Sequence, residues 1–426
     1  MDGNRRLAFL ILKEISEKGT WSNLAVKDRL LKEEHSDAPF IRELVYGVLR
    51  NQILLDFNIE RFLKKPGLNT SERILLRMGF YQLALMDGVS DYAAVNETVS
   101  LAASFMKGRQ GFINAVLRSF QRDGKRLLYS NLRTRYSCAQ WIADLLVKAY
   151  GPEKAEEILK SSCAAPPFTV RVNRLKISRE ELAERFADLG AQAEPDPLSE
   201  LCLNVKGAVL DSEEYRNGLF SVQGAASASA VEMLAPKPGE NLLDLCAAPG
   251  GKTCAAAELM EDRGEILALD VYPHRVKLIE NEAARLGHPM IKTSAADASV
   301  FDPSLADRWD RVIADVPCSA LGTIAKDPEI KLRELEPQQA EEYIRQLTAK
   351  QAAILENACR YVKKGGTVLY STCTVDPAEN EEMISAFIEA HDGYTAGPQR
   401  LLLPDDKGQE GFFTCLIRRD DDKHRV

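Results

Sequence analysis

Across residues 5–120 the apolar positions recur every three or four residues, the spacing that lines one face of an α-helix. Leu7, Leu10, Ile11 and Ile15 form one stripe, and Ile41, Leu44, Val45, Val48 and Leu49 a second. Ile53, Leu54, Phe57 and Phe62 form a third. Gly67, Gly79, Gly88, Gly108 and Gly111 fall near the expected boundaries or close contacts. The pattern predicts an all-α domain of about seven helices, followed by a polar, basic linker over 121–126.

A second helical stretch follows, carried by Trp141, Leu145, Leu146, Ala149 and Tyr150. At Ala164-Ala165-Pro166-Pro167 the pattern changes, and Phe168-Thr169-Val170-Arg171-Val172-Asn173 reads as a strand. A helix over 180–189 and further short strands make a small α+β unit of residues 165–235, closed by the Pro-Lys-Pro-Gly turn at 236–239. Beyond it, apolar runs at 242–246, 266–269, 312–315 and 367–370 alternate with amphipathic helices such as 342–362. Such alternation predicts a mostly parallel sheet with helices on both faces. Ligands of these sheets bind beyond the carboxyl ends of the strands. The division expected is therefore 1–126, 127–236 and 237–426.

Composition narrows the class. The 426 residues are 45% hydrophobic and 28% charged, the balance of a soluble globular protein. No apolar run approaches the roughly 18 residues of a membrane span, and the charged start Met1-Asp2-Gly3-Asn4-Arg5-Arg6 leads into no signal-peptide pattern. A cytoplasmic, monomeric protein is expected. Nine cysteines occur without C-x-x-C spacing, and the five histidines (His35, His274, His288, His391 and His424) are not near any cysteine cluster. A structural metal or a disulfide framework is not expected. The net charge of −8 argues against nucleic acid, but its distribution changes that. Residues 1–130 hold 20 Lys+Arg against 15 Asp+Glu, and the remainder 35 against 48. A basic front end on an acidic chain fits a local nucleic-acid-binding module.

The segment Leu243-Asp244-Leu245-Cys246-Ala247-Ala248-Pro249-Gly250-Gly251-Lys252-Thr253 reads as strand, glycine turn and helix start. Gly250 and Gly251 would let a ligand approach the backbone and the helix N-terminal N–H groups. A phosphate loop of the form G-x-x-x-x-G-K-[ST] would need a glycine where Cys246 stands, and G-x-G-x-x-G is absent. Asp270 ends the next strand, 20 residues after Gly250. A carboxylate there can accept both ribose hydroxyls of a nucleoside; the competing role is a helix N-cap. Arg275 could reach the same ligand or only solvent. Asp297 is expected at a third strand end, by an adenine edge.

Asp315-Val316-Pro317-Cys318-Ser319 follows the fourth strand of this sheet, and Ser371-Thr372-Cys373-Thr374 the fifth. Packing is the ordinary role of a cysteine, and it suits Cys138, Cys163, Cys202, Cys254, Cys359 and Cys415. Cys318 and Cys373 instead stand at strand ends beside the expected nucleoside pocket, and local sequence does not choose between them.

With the glycine loop of residues 246–252, these segments resemble the RNA cytosine-5 methyltransferases, and among them the bacterial RsmB/Sun family acting on 16S rRNA. The match runs nearly end to end and includes residues 167–173, 365–373, Glu379-Asn380-Glu381, Leu403-Pro404 and Gly411-Phe412-Phe413. The front end resembles a NusB-type RNA-binding domain through residues 42–50 and Ala93-Ala94-Val95-Asn96-Glu97. The resemblance implies a multidomain chain: an all-α NusB-like domain, a small α+β RNA-binding unit, and an α/β Rossmann-like methyltransferase domain.

It also implies S-adenosyl-L-methionine as cofactor, held by Cys246, Ala247, Ala248, Pro249, Gly250, Gly251, Lys252, Asp270, Asp297 and Asp315. The partner implied is 16S rRNA, with the cytosine at position 967 as the family target. Cys373 is implied as the nucleophile adding to C6 of the base, since C5 is a poor nucleophile until something adds to C6. Asp315 is implied to bond the base near N3 and the exocyclic amine, a task suited to a proton-sharing carboxyl. Cys318 is implied to assist release. Lys252 is expected to neutralise the cofactor carboxylate or the RNA backbone.

Three departures from the family pattern touch the substrate loops. Ala320-Leu321-Gly322 stands for Gly-x-Gly, Gln223-Gly224 for a Gln-acid pair, and Gln409-Glu410-Gly411 for Thr-Asp-Gly. Two other functions compete with the first: the same reaction on tRNA or 23S rRNA, and a catalytically silent RNA-binding assembly or antitermination factor.

Overall fold

Helix caps and buried stripes account for the front of the chain. A computed structural model describes residues 2–33 and 37–421, so His35 and His424 lie outside the described residues. Seven helices are described before residue 123: Gly3–Lys18, Ser22–Leu30, Ala38–Arg50, Gln52–Glu60, Thr70–Ala84, Asp91–Phe105 and Gln110–Arg122. Asp2 caps the first by accepting from the Asn4 and Arg5 N–H groups, and Gly19 (φ +65°) ends it. Asn69 and Glu72 form a capping box at the start of the fifth. The expected stripes of the first and third helices are buried at Leu7, Ile11, Ile41, Leu44, Val45 and Val48. In the fourth helix the buried face is Leu54, Leu55, Asn58 and Ile59, with Phe57 only half-buried. Phe80 stacks on Phe120 with ring centroids 3.9 Å apart. Each large apolar side chain so buried contributes about 1.5–3 kcal/mol.

The chain divides into two compact units, Met1–Ala165 with Ile324–Pro337, and Pro166–Thr323 with Gln338–Val426. Residues 127–165 thus pack with the front helices, and the basic stretch over 121–126 is not a free linker. Arg61 explains part of this, bonding the Asp123 carboxylate (3.0 Å) and the Arg126 carbonyl (3.1 Å). Asn58, fully buried, exchanges two hydrogen bonds with the Leu128 backbone (2.8 and 2.9 Å). The helix Gln140–Ser161 is broken at Gly151 (φ +78°), beside Pro152. Segment 324–337 adds Lys331, fully buried, whose ammonium donates to the Tyr136 carbonyl (3.0 Å), the Ser162 carbonyl (3.2 Å) and Ser162 Oγ (3.1 Å). Burial lowers its pKa, and these acceptors are what make the position tolerable.

The second unit holds two sheets. The smaller is antiparallel, built from β1 (Phe168–Val172), β2 (Gln192–Pro195), β3 (Cys202–Lys206) and β4 (Phe220–Val222) in the order β2-β3-β1-β4. The larger comprises β5 (Asn241–Asp244), β6 (Glu265–Asp270), β7 (Ile291–Ala295), β8 (Trp309–Asp315), β9 (Val362–Thr372), β10 (Tyr394–Leu402) and β11 (Phe412–Arg419). Its order is β10-β11-β9-β8-β5-β6-β7, with β5 to β9 parallel, β11 antiparallel to β9, and β10 antiparallel to β11. Strands run outward from β5 through β6 to β7, and the chain then returns to lay β8 on the other side of β5. The crevice at that switch point is where such sheets bind ligands.

Asn173, at the end of β1 and buried, ties the smaller sheet to the helix Pro273–Leu286. Its amide donates to the carbonyls of Gly218 and Leu286, each at 3.0 Å. Removing it leaves two buried acceptors without that donor, a loss of about 1–3 kcal/mol. Asn173→Ala should therefore lower the urea midpoint with the slope unchanged, whereas an unshifted midpoint would show that the clamp carries no stability.

Candidate active site

Two backbone hydrogen bonds open the loop after β5 toward both neighbours. The Leu245 N–H donates to Ile313 of β8 (2.9 Å) and the Ala247 N–H to Leu269 of β6 (2.8 Å). Gly250 then turns the chain at φ +111°, a conformation that favours glycine, and the helix Gly251–Leu259 begins. A Cβ on Gly251 would stand 3.3 Å from Gln223 Cδ, so the loop lies close under that side chain. Asp244 ends β5 fully buried, accepting from Thr253 Oγ1 (2.7 Å). Burial pushes its carboxyl up to about 7, with the Asp315 charge adding to the rise.

Asp270 is buried at the end of β6 and is not the N-cap of the following helix, whose cap residue is Tyr272. Its carboxylate accepts from the Ala248 and Tyr272 N–H groups (3.3 Å each) and pairs with Arg275 (3.3 Å). Arg275 also donates to the Ala248 carbonyl (3.2 Å), bracing the glycine loop against Asp270. Asp297 lies exposed two residues beyond β7, with its carboxylate held by the Ser299 N–H and hydroxyl (2.9 and 2.6 Å), which lower its pKa.

Asp315 pairs in register with Ser371 across β8 and β9. Both of its oxygens accept hydrogen bonds, from Lys252 Nζ (2.8 Å) and Ser371 Oγ (2.7 Å). Both carboxylate oxygens thus meet a donor inside the site. Lys252 faces Asp315 and lies 5.1 Å above the Phe412 ring, so its charge is spent inside the site.

The two strand-end cysteines come together, with Cys318 Sγ and Cys373 Sγ 3.3 Å apart and both half-buried as free thiols. The hydrogen bond with Cys373, then burial, raise the Cys318 pKa well above the ordinary thiol value. Cys318 is held as a thiol beside Cys373. Cys138, Cys202, Cys254, Cys359 and Cys415 are buried, and burial raises each of their pKa values, as for packing cysteines. Cys163 departs from that group, being half-buried with Sγ 3.9 Å from Lys331 Nζ.

The loop departures have local explanations. Ala320 adopts φ +59°, the left-handed conformation that glycine takes at less cost. Gly322 has no such freedom to lose, since a Cβ there would meet the Gly411 and Cys373 carbonyl oxygens at 2.1 and 2.8 Å. A Cβ on Gly224 would stand 2.7 Å from Glu410 Oε2. The changes at 224 and 410 therefore share one space, the lost side chain making room for the longer one. Asp244 and Ser371 enter the site without being singled out for it in the sequence, and Arg275, placed there between ligand and solvent, pairs with Asp270. The signal for Asp244 was an acid inside an otherwise apolar strand.

A sheet of this order, with a glycine loop after β5 and acids at the ends of β6 and β8, defines a Rossmann-like methyltransferase domain. Residues 231–418 match the 16S rRNA methyltransferase RsmB/F family, residues 2–122 the NusB family, and residues 138–210 the RsmF/B-like ferredoxin-like domain. A probable ribosomal RNA small subunit methyltransferase B of Bacillus subtilis is 34% identical over 97% of this chain and 98% of its own length. The corresponding Synechocystis protein is 35% identical over 97% and 99%. The crystal structure of PH0851 superposes with a TM-score of 0.81 at 25% identity, covering 98% of this chain and 99% of that one. This chain belongs to the ribosomal RNA small subunit methyltransferase B (RsmB) family of RNA methyltransferases, with a NusB domain, a small α+β domain and a methyltransferase domain in sequence.

Asp244 supplies a test of the site's electrostatics. The folded protein keeps this proton up to about pH 7, while the unfolded chain releases it near the ordinary value of 3.8. Between those values the native state binds more protons, so this group makes stability fall as pH rises. Asp244→Asn should gain stability relative to the parent between about pH 4 and about pH 8 in paired urea titrations. A difference that stays constant across that range would refute the raised pKa.

Proposed function

We propose that this protein methylates C5 of a cytosine in 16S rRNA, using S-adenosyl-L-methionine and a transient bond between Cys373 and C6 of the base. The observation that carries the reading is the pair of sulfurs 3.3 Å apart at the carboxyl ends of adjacent strands, beside Asp315. Relatives named as ribosomal RNA small subunit methyltransferases, matched over nearly the whole chain, support the substrate class.

The residues present suit the cofactor. Gly250, at φ +111°, turns the loop into a helix N-terminus, where N–H groups favour a carboxylate. Asp270, buried at the end of β6, is assigned to the ribose hydroxyls, and Asp297 beyond the next strand to the adenine edge. Cys246, Ala247, Ala248, Pro249 and Lys252 complete the lining. S-adenosyl-L-methionine, when bound, supplies an electrophilic methyl group.

Cys373 acts as a thiolate, and the adjacent Cys318 thiol can donate to it before attack. Addition forms the S–C6 bond and breaks the C5=C6 π bond, leaving electron density on C5 and the N3 side of the ring. Asp315, braced by Lys252 and Ser371, orients the base there. C5 then takes the methyl group. Once Cys373 is bonded to carbon, Cys318 loses the hydrogen bond and the neighbouring charge that raised its pKa. It releases its proton to solvent and, as thiolate, takes the proton from C5. That C–H electron pair rebuilds C5=C6 and expels Cys373 as thiolate. The front helices and the small sheet are assigned to holding the RNA, and a base taken from a helix must be flipped out to react.

Cys373→Ala should reduce methylation to background, and Cys318→Ala should accumulate a covalent RNA–protein adduct visible by denaturing electrophoresis. An adduct that forms in the Cys373 variant and needs Cys318 would reverse the two roles. In cells lacking the protein, bisulfite sequencing should show one 5-methylcytosine lost from 16S rRNA. An unchanged 16S pattern, or a loss confined to tRNA or 23S rRNA, overturns the assigned substrate.

A further inference from the structure

Two thiols on different loops have no intrinsic reason to stay in contact, so something must hold the loops. Beneath them lies the short helix Pro377–Glu379, with Glu379 and Asn380 fully buried. One Glu379 oxygen accepts from the Ser319 N–H (2.9 Å) and from Gln351 Nε2 (2.7 Å), and the other from the Ser319 hydroxyl. The Gln351 amide also donates to the Pro317 carbonyl (2.9 Å), so the residues on both sides of Cys318 are fastened to this centre. Ser319 Oγ lies 2.6 Å from Thr374 Oγ1, which carries the link to the residue after Cys373. Asn380 holds the same loop, accepting from the Thr372 hydroxyl (2.6 Å) and donating to the Thr374 carbonyl (3.1 Å).

We propose that Glu379 is a positioning residue for this reaction, its buried carboxylate tying the Cys318 loop to the Cys373 loop so that Cys318 stays in reach during release. The proposal rests on the roles given to the two cysteines above. A buried carboxylate costs several kcal/mol unless donors converge on it. Three do so here, and two belong to Ser319, next to Cys318. A residue serving only to fill the core would not need an acid at this point. Attack requires the Cys373 sulfur alone, whereas release requires both sulfurs. Loosening this tie therefore affects the second half of the cycle more than the first.

Glu379→Gln is nearly isosteric but presents an amide N–H₂ to a centre built from donors. In the full-length protein with 16S rRNA and S-adenosyl-L-methionine, turnover should fall by about 100-fold. Covalent RNA adduct should build up through Cys373, as in Cys318→Ala. The ratio of adduct to free methylated product is the diagnostic, because a general loss of folding lowers both together. Ser319→Ala, which cuts the hydroxyl link to Thr374 and keeps the carboxylate, should shift the ratio the same way by a smaller factor. It decides the matter if Glu379→Gln does not fold. Turnover close to the parent's, or loss of adduct and product alike in a protein of unchanged melting temperature, overturns the proposal. Cys318→Ala run in parallel separates the two levels. If it accumulates adduct and Glu379→Gln does not, only the role of Glu379 falls; if it accumulates none, the release role of Cys318 falls and this proposal with it.

Discussion

Parallel pairing of β8 with β9 sets everything at the site. Asp315 lies opposite Ser371, and the last pairs of the ladder bring both strands to their ends together. Cys318 follows three residues after Asp315 and Cys373 two after Ser371, so the sulfurs emerge side by side. A slip of one residue would turn every side chain of a strand to the opposite face, and would take Asp315 away from Lys252. β11 locks the register from the other side, pairing Phe413 with Thr372 and Thr414 with Ser371. The Gly322 N–H then binds the Cys373 carbonyl (2.9 Å) and the Gly411 N–H the Gly322 carbonyl (2.8 Å). Three loops are sewn together by backbone alone, and the chemistry is laid over them.

Charge at this site is handled by pairing and by burial in different measure. Lys252 and Asp315 neutralise one another within the crevice, while Asp244, fully buried, is pushed by that burial toward its protonated form. The thiols are graded by the same rule. Burial raises the pKa of the five enclosed cysteines and makes them inert, and Cys318 adds to burial a partner that is itself a sulfur. The site therefore places one thiol under control of the other.

Much of the fold was legible in the sequence because its pattern is local. Helical stripes such as Ile41, Leu44, Val45 and Val48, and apolar runs such as 312–315, announce an element whatever packs against it. The loop after β5 was legible for the same reason, since glycines and a helix start are adjacent in the chain. What escaped depends on residues far apart. Asn58 and Arg61 pin the basic stretch after residue 122, which no local pattern distinguishes from a linker. Glu379 is a charged residue that burial would normally exclude, and only the convergence of Ser319 and Gln351 makes sense of its place. The two donors to Asp315 escaped for a like reason, because one comes from the start of the helix after β5 and the other from β9.

The excursion of the chain after the Cys318 loop bears on how the molecule is made. Residues 324–337 leave one compact unit to become part of the other, and Lys331 fills a buried position among carbonyls of residues 136 and 162. As the chain grows from its N-terminus, those carbonyls are synthesised long before the ammonium that will bind them. The front unit is therefore finished late, when most of the second has already left the ribosome. Cutting the gene after residue 165 would release a front half with one of its own pieces missing.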